Sequence, residues 1–296
     1  MNIMEALQSL NPRVLAFLVQ VFRLCLWLVI LTVIFAPLER LFALYPQKLF
    51  RKAILTDLGY YFLNSVVTGF VLSLPLALLA WAVHRFIPVS FTSTVAALPL
   101  WVRIALSALI GELGFYWGHR WSHELPLLWR FHAIHHSAEH VDFLVNTRAH
   151  PVDMVITRLC GLIPLFILGL ASPVRGSSSL VPVLVVLVGT LWGFFIHANL
   201  RWRFGPLEWL IATPAFHHWH HTNDGPDVVN KNYSPLLPVM DLIFGTLYLP
   251  RDGQPKRYGI DQPVAPALMA QLLDPFLLRR RKIPSATEDL SHRVVE

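Results

Sequence analysis

Between Val14 and Ala36 the chain carries a single charge, Arg23, and between Leu58 and Val83 it carries none. A helix needs about 20 consecutive apolar residues to cross the hydrocarbon core of a bilayer. Both runs therefore predict membrane spans, the second opening on Tyr60-Tyr61-Phe62. Leu98–Trp117 is a third, less clean candidate, because it holds Arg103 and Glu112. Val155–Ala171 is short and broken by Pro164, and Ser179–Ile196 is strongly apolar and ends at His197. The linker containing Ser172-Pro173-Val174-Arg175-Gly176 is too short to hold a domain, so these two segments read as a helical hairpin. The expected fold is all-α: an integral membrane helical bundle of four or five apolar segments with a cytosolic histidine-rich cap. We divide it into N-terminal spans (1–97), a histidine-rich domain (98–250) and a basic tail (251–296).

Composition supports this class. Hydrophobic residues make up 55% and charged residues 14%, with mean hydropathy +0.52, against about 45–50% and about 25% in soluble domains. A soluble globule, a disordered chain and a disulfide scaffold are excluded. Cys25 and Cys160 both lie in apolar runs and read as small buried hydrophobes. The net charge of +6 fits basic loops facing anionic lipid, with no nucleic-acid partner. The first loop holds Arg40, Lys48, Arg51 and Lys52, the second only Arg85, and the tail Lys256, Arg257, Arg279, Arg280, Arg281 and Lys282. The positive-inside rule puts the first loop, the end of span three and the tail on the cytoplasmic side. The N-terminal residues lack a small-residue cleavage site and read as the lead-in to a retained span. Ala265–Leu278 reads as an interfacial or surface-packed helix. Arg23 is expected either to snorkel or to pair with Glu112.

The 14 histidines are not scattered. They gather as His119 and His123, as His132, His135 and His136, and as His217, His218, His220 and His221. Residues three and four apart share a helix face, so each cluster except its member His218 becomes a comb of imidazoles. Two apolar segments separate His136 from His197, and an even number of crossings returns the chain to the same membrane face. Neutral imidazole binds zinc, copper, iron and nickel, and eight or nine imidazoles suit two ions. His84 reads as an interfacial tip, His292 as solvated, His140 as a polar helix face, His218 as outside the ligand shell, and His150 as intermediate. A bis-histidine haem carrier would need facing histidines inside the bundle, whereas these gather at helix ends. A transporter would need polar residues at mid-membrane on several spans. His123-Glu124 lacks the second histidine of a zinc protease.

These spacings resemble the membrane fatty acid hydroxylase / sterol desaturase superfamily, whose signature is HxxxH, HxxHH and HxxHH. The flanks agree as well: Glu112 with Tyr116 and His119-Arg120, Trp129 to Ser137, Phe195 to Asn199, Thr213 to His221, Asn232-Tyr233, and Asp241 to Thr246. Met240 stands where the family has tryptophan. The resemblance covers roughly Leu106–Pro250. It implies non-haem di-iron held by His119, His123, His132, His135, His136, His197, His217, His220 and His221, with zinc as a substitute. It further implies dioxygen as co-substrate, a lipid substrate from the bilayer, and an external electron donor such as a ferredoxin, a cytochrome b5-like protein or another reductase. The implied reaction is hydroxylation or desaturation, and the alternative is a metal-binding membrane protein of non-oxygenase type. Glu112 and Asp241 are the favoured carboxylates for orienting ligand rings, with Glu124 and Glu139 as further candidates. Short loops and the lack of fused domains point to a bacterial inner membrane, with the site facing the cytoplasm.

Overall fold

The computed structural model describes residues 11–170 and 180–277. The lead-in 1–10, the linker at Ser172–Gly176, His292 and the Arg279–Lys282 cluster lie outside the described residues. Among the described residues there is no β-strand.

Among the described residues, three helices are long and apolar enough to cross a membrane: α1 (Pro12–Leu41), α2 (Ile54–Phe86) and, after the short α3 (Val89–Ala96), α4 (Leu100–Glu124). Asn11 starts α1, its side chain accepting the Arg13 N–H at 2.9 Å with Pro12 at the first turn. Phe22, Val33, Phe70 and Trp81 are each more than 60% exposed. Apolar area on this scale is incompatible with water and matches acyl chains. Arg23 is exposed on α1, and Glu112 bonds elsewhere, so the expected Arg23–Glu112 pair does not form.

After α4 the chain forms α5 (Pro126–His136), a 3-10 turn (Phe143–Thr147) and α6 (Pro151–Ile167). α7 (Leu180–His197) ends beside α5, its His197 Nε2 3.3 Å from that of His135. A second 3-10 turn (Gly205–Trp209), α8 (Pro214–His220), α9 (Val239–Ile243) and α10 (Leu268–Leu273) complete the chain. α10 is shorter than the helix expected over Ala265–Leu278.

α4 packs most extensively on α6. Close approach there requires glycine: a Cβ on Gly114 would lie 2.2 Å from the Cys160 carbonyl oxygen, and one on Gly118 2.7 Å from the Cys160 Cβ. That approach sets the first turn of α6 beside His119. A buried apolar cluster of Leu31, Phe35, Tyr61, Phe143, Leu144, Phe194, Ala198 and Leu200 joins α1, α2, the first 3-10 turn and α7. It holds the membrane helices to the histidine-bearing segments.

Candidate metal centre

The last turns of α4 carry His119 and His123, α5 carries His132, His135 and His136, α7 ends on His197, and α8 carries His217, His220 and His221. The fold brings them into two adjacent groups. His119, His123, His132, His136 and His220 form one, and His135, His197, His217 and His221 the other. Within each group one ring nitrogen per residue lies within 4.8 Å of every other. The stacked rings of His136 and His221, 4.5 Å apart, join the groups.

α5 and α8 each feed both groups, although the sequence reading puts each trio on one face. A helix turns about 100° per residue, so positions four apart differ by about 40° and positions three apart by about 60° in the opposite sense. His132 and His136 therefore point to one group while His135 points to the other. In α8, His217 and His221 stay together and His220 diverges.

Outer partners set the tautomers. His119 Nδ1–H donates to the Tyr233 carbonyl at 2.6 Å, and His135 to the Arg148 carbonyl at 3.0 Å. His197 donates to the Gly193 carbonyl at 2.7 Å, and His220 to the Lys231 carbonyl at 2.9 Å. His132 Nδ1 meets the Asp153 carboxylate at 2.9 Å, and His123 Nδ1 the Asn230 side-chain oxygen at 3.1 Å. Acceptors at Nδ1 leave Nε2 as a bare lone pair. The Nε2 atoms converge: the bare lone pairs of His119 and His132 stand 3.2 Å apart and those of His197 and His135 3.3 Å apart, while His136 Nε2 lies 3.0 Å from that of His220 and His217 Nε2 3.0 Å from that of His197. His123 Nε2 is buried without a hydrogen-bond partner. Converging, protonless nitrogens repel, and a cation among them removes the repulsion. Two ligands each about 2.1 Å from one ion would stand roughly 3.0–3.4 Å apart at angles of about 90–110°, which is the observed spacing. The residues present fit metal.

Electrostatics keep these rings neutral. Burial, followed by the neighbouring imidazoles, pushes His136, His217, His220 and His221 well below the ordinary histidine range. Burial brings His135 down to about 4. Neutral imidazole is the ligating form.

The two favoured carboxylates do not touch an imidazole. Glu112 Oε1 accepts the backbone N–H groups of Leu236 and Leu237 at 2.8 and 2.7 Å. Asp241 accepts Tyr233 N–H at 2.8 Å, Ser234 N–H at 2.9 Å and the Thr246 hydroxyl at 2.6 Å. Each is oriented toward backbone donors of the loop after α8 rather than toward rings. Asp241 acts one step removed, by holding the turn whose Tyr233 carbonyl receives His119. Glu124 pairs with Arg120, and Glu139 lines a cleft at the surface.

The ring-orienting carboxylate is Asp153, which the sequence reading missed. It is buried in the first turn of α6 and also accepts Ser122 Oγ–H at 3.2 Å. An acid one turn into a helix after proline reads as an exposed N-terminal charge, so only the α4–α6 contact discloses its role. Outer partners of this kind are worth 10–100-fold in metal affinity. Asp153→Asn is therefore expected to weaken metal binding about 10–100-fold, read by competition with a chelator of known affinity. Unchanged affinity would show that Asp153 merely supports packing.

His150 and His218 lie outside both groups. His150 Nδ1 accepts Val152 N–H at 3.1 Å and caps α6, while its Nε2–H donates to the Leu272 carbonyl at 3.1 Å. His218 Nε2–H donates to the Ala198 carbonyl at 3.1 Å, and Tyr258 O–H donates to its Nδ1 at 2.9 Å. Tyr258 lines an open polar cleft of about 740 Å³ with Tyr45, Glu139, Asn199, Asn223 and Lys256.

Residues 104–246 match the sequence profile of the fatty acid hydroxylase family. An ornithine lipid hydroxylase of Rhizobium tropici is 35% identical over 185 residues, covering 62% of this chain and 53% of that protein. Alkylglycerol monooxygenases are 31% identical over 157 residues in Danio rerio and 30% over 164 in Homo sapiens, covering 52% and 53% of this chain and 32% and 33% of theirs. The chain thus spans about half the length of the first relative and a third of the others. No solved structure matches. With its three histidine boxes in order inside the matched region, residues 104–246 form a fatty acid hydroxylase domain.

Proposed function

We propose that this protein is a membrane-bound, dioxygen-dependent hydroxylase of a lipid, with two iron ions held by the two histidine groups. The observation that carries this reading is the convergence of imidazole Nε2 atoms at 3.0–3.3 Å in two adjacent sets. His119, His123, His132, His136 and His220 would hold one ion, and His135, His197, His217 and His221 the other. Iron bound there supplies the activation of dioxygen for attack on an unactivated C–H bond, which side chains alone cannot perform. Nine histidines and no cysteine also suit zinc less well than a structural thiolate site would.

The protein's own groups prepare that chemistry. Asp153 and the carbonyls of Tyr233, Arg148, Gly193 and Lys231 hold the rings in one tautomer. Glu112 and Asp241 position the loop that supplies the Tyr233 carbonyl. Burial of all nine rings but the half-buried His123 limits water at the site. The relatives act on an ornithine lipid and on alkylglycerols by name, and the exposed apolar helices favour a substrate delivered from the bilayer. Hydroxylation is preferred to desaturation on the names of the relatives. Electrons come from a separate protein donor, and the polar cleft beside Tyr258 is the aqueous approach to the cap. We place the working unit at 98–250, with 1–97 as membrane anchor and 251–296 as basic tail. The chain is read as multi-pass in a bacterial inner membrane, with the cap on the cytoplasmic side.

The test is iron per chain in protein purified in mild detergent from iron-replete cells, together with lipidomics of cells with and without the gene. About two irons and a lipid gaining the mass of one oxygen are expected. One zinc, or no metal and no altered lipid, would sink the oxygenase reading.

A further inference from the structure

The stretch that follows α8 runs down α4 rather than across the cap. Its contacts give its depth. The Tyr233 carbonyl receives His119 Nδ1–H, the Leu236 and Leu237 N–H groups reach Glu112, and Thr246 Oγ1 meets Tyr116 Oη at 2.8 Å. Glu112, Tyr116 and His119 lie on successive turns of α4. At about 1.5 Å rise per residue, Glu112 lies about 10 Å nearer the membrane interior than His119. The chain therefore descends past His119 to Glu112 and climbs back at Thr246, alongside a helix long and apolar enough to span.

At the lower end α9 turns Leu242 and Ile243 outward, 53% and 65% exposed. Ala212 N–H donates to the Leu236 carbonyl at 2.8 Å. That bond holds beside them the 3-10 turn bearing Leu207, Trp209 and Leu210, exposed 56%, 52% and 67%.

Irregular backbone at membrane depth survives only where its polar groups are satisfied within the protein. This segment meets that condition with buried side chains. Asp241 accepts the Tyr233 and Ser234 N–H groups, and Glu112 those of Leu236 and Leu237. The Asn232 amide donates to the Phe216 and Tyr248 carbonyls and accepts Tyr248 N–H at 2.7 Å. Pro235 and Pro238 have no N–H to satisfy. A loop in water would have no need of two buried carboxylates and a buried amide for these donors.

We propose that 232–248 is a re-entrant strap seated against α4 at acyl-chain depth, and that Leu242 and Ile243, with Leu207, Trp209 and Leu210, form a contact surface for the lipid tails of the bilayer. The partner is the bilayer because the patch is apolar, includes a tryptophan, a residue favoured at membrane interfaces, and is carried by a segment bonded along α4, a helix long and apolar enough to span. Glu112 is then the membrane-buried acceptor that lets the strap enter.

Nitroxide labels at Leu242→Cys, Ile243→Cys and Leu210→Cys test this. The full chain carries Cys25→Ala and Cys160→Ala and sits in phosphatidylcholine–phosphatidylglycerol vesicles. Relaxation by oxygen, relative to a water-soluble nickel chelate, should be several-fold higher at these positions than at Asp227→Cys, and should match Phe22→Cys on α1. Nickel access equal to that at Asp227 places the strap in water and overturns the proposal. Protection from both reagents, showing a second protein copy over the patch, also overturns it. Should the labelled variants fail to fold, brominated lipid is added to the native chain and to Trp209→Phe. Loss of part of the quenched fluorescence in Trp209→Phe supports the strap, and an unchanged quenched fraction overturns it.

Discussion

On the proposed two-iron reading, His197→Ala should cost the protein about one iron of the two while leaving the fold and the five-histidine group in place. His197 Nε2 is the hub of the four-histidine group, within 3.0–3.3 Å of the Nε2 atoms of His135, His217 and His221. With one ring removed, only three imidazoles remain there, and no carboxylate among the described residues joins that group. Turnover should fall by more than the roughly 100-fold that loss of an outer partner costs, because two ions held by the two groups would supply dioxygen activation jointly. His220→Ala should show the mirror result, emptying the group fed by α4. Metal analysis and circular dichroism on both variants are the readouts. Equal loss of both ions in each variant would mean one inseparable cluster, and retention of both would mean that these rings do not ligate.

The second large effect is expected at a buried ion network behind the four-histidine group. Asp57, fully buried near the start of α2, receives Arg51 Nη2 and Arg148 Nε, each at 2.5 Å. Arg51 also pairs with Asp142 at 2.5 Å, and Asp142 caps the first 3-10 turn by accepting Leu144 and Val145 N–H. Asp57→Ala leaves Arg51 with Asp142 alone and takes from buried Arg148 the carboxylate it pairs with. Breaking a buried pair on one side costs about 3–5 kcal/mol, so the thermal midpoint in detergent should fall by roughly 10 °C. The Arg148 carbonyl also receives His135 Nδ1–H, so metal retention in the four-histidine group should weaken in the same variant. Asp252→Ala, at an exposed position, is the control and should melt with the parent. A midpoint for Asp57→Ala within two degrees or so of the parent would show that the network is energetically neutral.

Local spacing made much of this protein legible. Apolar runs located α1, α2 and α4, because a helix that crosses lipid must be apolar along its length. Three- and four-residue intervals located the imidazoles, because helical geometry maps sequence separation onto direction. The nine rings that meet are the nine that spacing and resemblance singled out.

Only the tertiary structure decided how those rings divide and what holds them. The division of His135 from His132 and His136 depends on which neighbour each face of α5 meets. Asp153 faces His132 because glycines let α6 approach α4 closely, a contact between segments that no local pattern encodes. Glu112 lies on nearly the same face of α4 as His119, yet its partners are backbone donors of a loop more than a hundred residues downstream. A sequence specifies where chemistry-bearing side chains stand along each helix. Their partners come from segments distant in the chain, and packing alone determines which of those segments meet.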